Sequence, residues 1–257
     1  MMGSLTPGEP SLPLVDQLTA SGGRLFRWRS YLPLAFILPE LYLMATVPSG
    51  APASRALLDS ACLAVGLVGL GIRAWTVAHV PSGTSGRSTR GLRADTLNTS
   101  GPYSVVRHPL YLGNFFMGLG VACFPGLWWI VVIYVLAFWL YYERIMLAEE
   151  AFLRTAFGAA FLEWAERTPA FVPDLRKYRP PDLPFSLRNV LGREYNGALA
   201  LVVVMTLLDV AGVLESEQRL GAHARWIYAL GVATLLWVAA FTLKRTTRWL
   251  DVTRPSA

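Results

Sequence analysis

The chain has 257 residues, of which 54% are hydrophobic and 16% charged, with a mean hydropathy of +0.41. That is too apolar for an ordinary soluble domain, and it implies an all-α, polytopic integral membrane protein with about six transmembrane helices. The net charge of +6 does not signal nucleic-acid binding, because no basic run is interleaved with aromatics and positive charge beside apolar spans is the ordinary topology signal.

Residues 1–30 carry Pro7, Pro10, Pro13, the pair Gly22-Gly23 and three arginines (Arg24, Arg27, Arg29). They lack the apolar core of a cleavable signal peptide and read as a cytoplasmic N-terminal tail. A first span is expected from Tyr31 to Val47, with Pro39 and Glu40 inside it; an acid at that depth is a functional candidate by default, although one carboxyl beside a proline equally suits a hydrogen bond to a neighbouring helix. A second span runs from Leu57 to Val80. Its Gly66, Gly69 and Gly71 allow another helix to come close, and Arg73 and Trp75 sit near its inner end, either as interfacial anchors or as a wall of a ligand cavity. Pro81 to Arg93 is a Gly/Ser/Arg loop. The two cysteines, Cys62 and Cys123, lie within expected spans with no CxxC or Cys/His partner, so neither a disulfide framework nor a metal site is implied.

The stretch from Asp95 to Gly113 then opens from a polar segment directly into an apolar helix. Gly101-Pro102 is turn chemistry, and Pro109 suits a helix's first turn, where its missing N–H costs nothing. A short third span (Leu110 to Phe124) turns at Pro125-Gly126 into a fourth (Leu127 to Tyr142), a tight hairpin that ends in Glu143, Arg144, Glu149 and Glu150. Antiparallel packing therefore brings Arg107, His108 and Tyr111 to the same membrane face as the Glu149-Glu150 pair, which is a geometric argument for one composite site. Gly158 is expected to stop the fourth helix. Asp174 to Arg193 reads as a surface linker, and two further spans follow, Tyr195 to Leu214 with Asp209 inside it, and Trp226 to Leu243.

The segments Thr96-Leu97-Asn98-Thr99-Ser100-Gly101-Pro102-Tyr103, Arg107-His108-Pro109-Leu110-Tyr111-Leu112-Gly113, Glu149-Glu150, Phe157-Gly158 and Val172-Pro173 together resemble the isoprenylcysteine carboxyl methyltransferases and their relatives among the phospholipid methyltransferases. The resemblance covers Arg73 to Pro173. It implies an S-adenosylmethionine-dependent membrane methyltransferase, with Asp95, Thr96, Leu97, Asn98, Tyr103, His108, Pro109, Leu110, Tyr111, Gly113, Glu149 and Glu150 as cofactor positions. It also implies Arg144, Glu149 and His108 as the residues of the reaction, with Arg144 holding an acceptor carboxylate. The acceptor would be lipidic or prenylated, entering from the bilayer. A phospholipid amine is the alternative; a sterol-reductase-like NADPH oxidoreductase, a non-catalytic membrane adaptor and a plain interfacial salt-bridge network are the readings of other classes.

The implied organisation is a tail (1–30), a methyltransferase core (31–173), a linker (174–193) and an appended helical pair with a C-terminal tail (194–257). Under this scheme only Arg55, Arg219 and Arg225 fall in external loops. The arginine asymmetry therefore places both motif halves on the cytoplasmic side of the membrane, the inner membrane in a bacterial source.

Overall fold

The computed structural model describes residues 13–28, 32–46, 52–81, 94–213, 220–247 and 249–250. The loop expected at 81–93 lies outside the described residues beyond Pro81, as do residues 1–12 and the stretch 251–257. The described chain is helical: α1 (Leu14–Trp28), α2 (Leu32–Thr46), α3 (Pro52–Ala78), the single turn α4 (Pro102–Val105), α5 (Pro109–Cys123), α6 (Trp128–Phe157), α7 (Ala159–Arg167), α8 (Leu187–Val213) and α9 (Leu220–Thr246). Among the described residues there is no β-strand, only an isolated bridge between Gly101 and Arg179.

Among the described residues, four helices are long and apolar enough to cross a membrane: Arg55–Ala78, Trp128–Phe157, Leu187–Gly212 and Ala224–Thr246. The first and third expected spans are shorter apolar helices. With 15 residues, α5 is about 22 Å long against a hydrocarbon core of about 30 Å, clipped by Pro109 at one end and the Pro125-Gly126 turn at the other. The remaining apolar surface faces outward, as lipid contact requires: Trp128, Leu136, Leu140, Leu235 and Leu236 are all exposed.

Helix α3 is the hub, packing closely on α5 and also on α8. A Cβ at Gly69 would stand 2.4 Å from the Gly113 carbonyl, and one at Gly120 2.5 Å from the Cys62 carbonyl, so these glycines let the two backbones touch. Met205 and Leu208 of α8 are fully buried against a cluster that includes Met44, Cys62 and Phe124. Helix α8 is thus built into the bundle rather than appended to it, and α9 packs on α8.

Two other expectations change. Residues 14–28 are an amphipathic helix laid against α6, with Phe26 buried and the Tyr141 hydroxyl donating to the Leu25 carbonyl at 2.7 Å, so the stretch read as tail contains a docked element. Arg55 and Arg225 lie in helices, not loops: both pair with the buried Asp59, Arg55 at 2.8 Å, because an acid at the far end of α3 draws the nearest cations onto it.

Candidate functional site

At the other end of the bundle the polar motif folds into a compact head. Gly101 adopts φ 56°, a left-handed conformation that glycine takes without a Cβ clash, and Pro102 opens α4. A strap formed by residues 174–182 is stitched across this turn. Gly101 N–H donates to the Arg179 carbonyl at 3.0 Å, Arg179 N–H to Ser104 Oγ at 2.9 Å, the Arg179 guanidinium to the Thr99 carbonyl at 2.9 Å, and Ser100 Oγ to Asp182 at 2.6 Å. The Trp164 indole of α7 donates to the Tyr103 carbonyl at 2.9 Å. What the sequence presents as a surface linker therefore braces the motif, and Tyr178 and Phe185 of that linker meet Trp75 and His79 at the end of α3.

The hairpin α5/α6 delivers its charged ends side by side, as expected. His108, only 5% exposed, sits just ahead of α5 with Nε2 3.0 Å from Glu150 Oε1 and Nδ1 3.4 Å from Glu149 Oε2. Arg107 Nε is 2.9 Å from the same Glu150 oxygen, and its Nη1 donates to the Ala165 carbonyl at 2.8 Å. Burial alone would push the imidazole's pKa down, but the carboxylates at both ring nitrogens outweigh it and the net shift is upward. Behind the imidazole lie two phenols: Tyr111 stacks on His108 with centroids 5.6 Å apart, and Tyr142 of α6 lies 5.0 Å from Tyr111.

The structure thus brings His108, Tyr111, Glu149 and Glu150 together, with Pro109 buried at the head of α5 and Leu110 half-buried beside it. Ahead of the Gly101 turn, Thr96, Leu97 and Asn98 are half-buried and Asp95 exposed; the Thr96 hydroxyl oxygen is buried with no hydrogen-bond partner. Gly113 is spoken for by packing, since a Cβ there would stand 2.4 Å from Arg73 Cγ and 2.8 Å from the Gly69 carbonyl, so its bare face belongs to α3.

Arg144 does not join the cluster. Five residues of α-helix separate it from Glu149 by about 140° of rotation, and six from Glu150 by about 120° the other way, so it stands opposite the pair. Its guanidinium turns back onto the Leu140 carbonyl of its own helix, and its own carbonyl lies against Gly22 of α1.

Three residues of this region escape a reading from sequence. Asn114 donates to the Tyr142 hydroxyl at 3.1 Å and accepts from Arg73 Nη1 at 2.7 Å; the hint was a polar residue three positions after Tyr111 in an otherwise apolar helix. Phe171 inserts between α5 and α6, its ring 5.9 Å from Phe115 and 6.0 Å from Phe138. Glu194 pairs with Arg73, and nothing near it in sequence announces a partner.

A helical bundle with a polar head of this kind defines the chain as a membrane methyltransferase once the comparisons are added. The model of the phospholipid methyltransferase family matches residues 61–160, and the chain belongs to that family. It is similar to the cobalt-zinc-cadmium resistance protein CzcN of Cupriavidus metallidurans, 36% identical over 222 residues that cover 83% of this chain and 96% of that one. It is also similar to the nickel-cobalt-cadmium resistance protein NccN of Alcaligenes xylosoxydans xylosoxydans, 31% identical over 66% of this chain and 74% of that one. A protein-S-isoprenylcysteine O-methyltransferase of Schizosaccharomyces pombe is 31% identical over 77 residues, 30% of this chain and 33% of that one. No solved structure matches.

Proposed function

We propose that the protein transfers a methyl group from S-adenosylmethionine to a lipidic acceptor that reaches the His108 cluster from the bilayer. The observation that carries this reading is the pairing of two carboxylates with two phenol faces around one buried imidazole. The cofactor's amino group and sulfonium are cationic, and carboxylates and aromatic faces are the groups that hold cations out of water. The unpartnered Thr96 hydroxyl oxygen fits the same reading, as a buried polar atom that a bound ligand would satisfy.

A sulfonium methyl is already activated, so the cofactor supplies the electrophile and the protein supplies alignment and a dry site. In this reading Glu149 takes the cofactor's amino group, and Glu150, tied to Arg107 and His108, keeps the imidazole in place. Tyr111 and Tyr142 wall the site on the membrane side, and Asp95, Thr96, Leu97, Asn98 and Tyr103 form the adenosine edge. Both motif halves stand at one end of the bundle, and the arginine distribution supports the cytoplasm as the side they face.

A carboxylate acceptor is what similarity to the isoprenylcysteine enzymes favours. Arg144, the side chain expected to clamp it, turns away from Glu149, and this favours a second reading in which the acceptor is an amine. Carried to this chain, the names of the two bacterial relatives make metal resistance the setting of the reaction; the geometry speaks to the transfer itself. Calorimetric titration of detergent-purified protein with S-adenosylhomocysteine and with NADPH tests the proposal. Binding of the first and not the second is expected, and the reverse would overturn it.

A further inference from the structure

A second polar line starts outside the His108 cluster and runs into it. Glu194 in α8 is 5% exposed and accepts two bonds from Arg73 of α3, Nε to Oε2 at 2.7 Å and Nη2 to Oε1 at 2.9 Å. The third guanidinium nitrogen donates to Asn114 Oδ1 at 2.7 Å. That contact settles the direction of the amide, because with Oδ1 on the guanidinium only Nδ2 faces the Tyr142 hydroxyl, to which it donates at 3.1 Å. Tyr142 in turn backs Tyr111, which stacks on His108. The stem of Arg73 lies across Gly113, so the guanidinium is held from below by the motif helix and from the side by α8.

The fork of a guanidinium matched by both oxygens of one carboxylate is a geometry lysine cannot reproduce. It fixes Arg73 in one rotamer rather than merely lowering its charge. Packing of α3 on α8 does not require it, since Leu201 of α8 already contacts Gly66 through its methyl groups. Glu194 also lies beyond the family match, which ends at residue 160. The last helical pair therefore contributes a side chain to a site whose motif is complete without it.

We propose that Glu194 is a positioning residue of the methyl-transfer site: through Arg73 and Asn114 it fixes the Tyr142 phenol, and with it the Tyr111 face beside His108. This rests on the methyltransferase reading above. Glu194 touches neither cofactor nor acceptor in this role. Its effect is to hold a chain of hydrogen bonds in one direction, and the aromatic wall in one place.

The test is calorimetric titration of S-adenosylhomocysteine into the detergent-purified full chain, with thermal midpoints recorded in parallel. The proteins are the wild type, Glu194→Gln, Glu194→Asp, Tyr142→Phe and the Glu194→Gln/Tyr142→Phe double variant. Glu194→Gln is expected to weaken binding roughly tenfold, the loss of one charge-assisted contact, and Glu194→Asp to recover part of it. The double variant is expected to be no weaker than the weaker single variant, because both changes act through one ring. Effects that multiply, or a Glu194→Gln protein with a lowered midpoint and wild-type affinity, would overturn the positioning role. If Glu194→Gln does not fold, Asn114→Leu decides the matter, since it leaves the Arg73–Glu194 pair in place but removes the amide that links Arg73 to Tyr142; wild-type affinity in that variant overturns the proposal and a matching loss supports it. A wild-type protein that binds no S-adenosylhomocysteine would sink the methyltransferase reading itself, a result distinct from wild-type binding with multiplying effects, which sinks only the role of Glu194.

Discussion

Arg73 and Glu194, 121 residues apart in the chain, meet in a two-bond ion pair that joins α3 to α8. Removing Glu194 leaves the half-buried guanidinium of Arg73 without its counter-charge. From the motif positions alone, truncation after Arg176 should spare cofactor binding, since the motif residues end at Pro173. The pair reverses that expectation. A truncated chain loses the counter-charge of Arg73 together with Leu201, Met205 and Leu208, which fill the cluster around Cys62 and Phe124. Gel filtration and S-adenosylhomocysteine titration should find little folded protein and no binding; a monodisperse truncate of wild-type affinity would show that α8 is dispensable.

Glu149→Gln and His108→Ala should each weaken the cofactor complex, while Arg144→Ala should leave both cofactor affinity and turnover near wild type. The carboxylate of Glu149 is half-buried, and a charge-assisted hydrogen bond there is worth on the order of 1.5–3 kcal/mol, or about ten- to a hundredfold in affinity. Arg144 faces away from this cluster and bonds its own helix. Calorimetry on the three variants checks the order, and a turnover defect confined to Arg144→Ala with an acidic lipid would restore the carboxylate clamp.

The hairpin and its shared polar end were legible because their signals are local: Pro109, Pro125-Gly126 and Gly158 mark ends, and apolar runs mark the arms. Gly158 does end α6, at φ 55°. What could not be read depends on pairing across the chain or on the helical angle between neighbours. Arg144 stands next to Glu143 and five residues from Glu149 in sequence, yet helical geometry sends it to the opposite face. Glu194 finds its partner only once α8 folds onto α3. Residues 14–28 read as a tail because they carry a glycine pair and arginines and no long apolar core, whereas Gly22 is what lets the helix dock.

The His108 imidazole yields a pH dependence. Its folded pKa is raised above the ordinary 6.5, so its pairing with Glu149 and Glu150 contributes stability fully below that value and loses it as pH rises through the folded pKa. The wild-type thermal midpoint should therefore exceed that of His108→Gln by most at mildly acidic pH, with the gap narrowing as the medium becomes alkaline. Over the same range S-adenosylhomocysteine affinity should rise, because a neutral imidazole no longer competes as a cation with the cofactor's amino group for the Glu149 carboxylate. A gap independent of pH between about 5.5 and 9 would mean that folding leaves the His108 pKa at its unfolded value, and the two carboxylates would then contribute nothing to its protonation.

Adjacent glycines of α1 offer a test with its own control. A Cβ at Gly23 would meet nothing within 4 Å, whereas one at Gly22 would stand 1.9 Å from the Arg144 carbonyl oxygen and 3.0 Å from the Ala148 methyl. In an exposed helix interior, glycine to alanine is worth up to about 1 kcal/mol in favour of alanine, so Gly23→Ala should hold or raise the thermal midpoint. Gly22→Ala carries the same propensity gain but drives a methyl into the backbone of α6, and overpacking of that kind costs about 1–3 kcal/mol. Its midpoint should fall, and α1, which is anchored on α6 by Phe26 and the Tyr141 to Leu25 hydrogen bond, should become accessible to protease. Because α6 carries Glu149 and Glu150 one to two turns beyond the contact, the Gly22 variant should also bind S-adenosylhomocysteine less tightly. Two variants with the same midpoint and the same protease sensitivity would place α1 away from α6 and return residues 14–28 to the status of a tail.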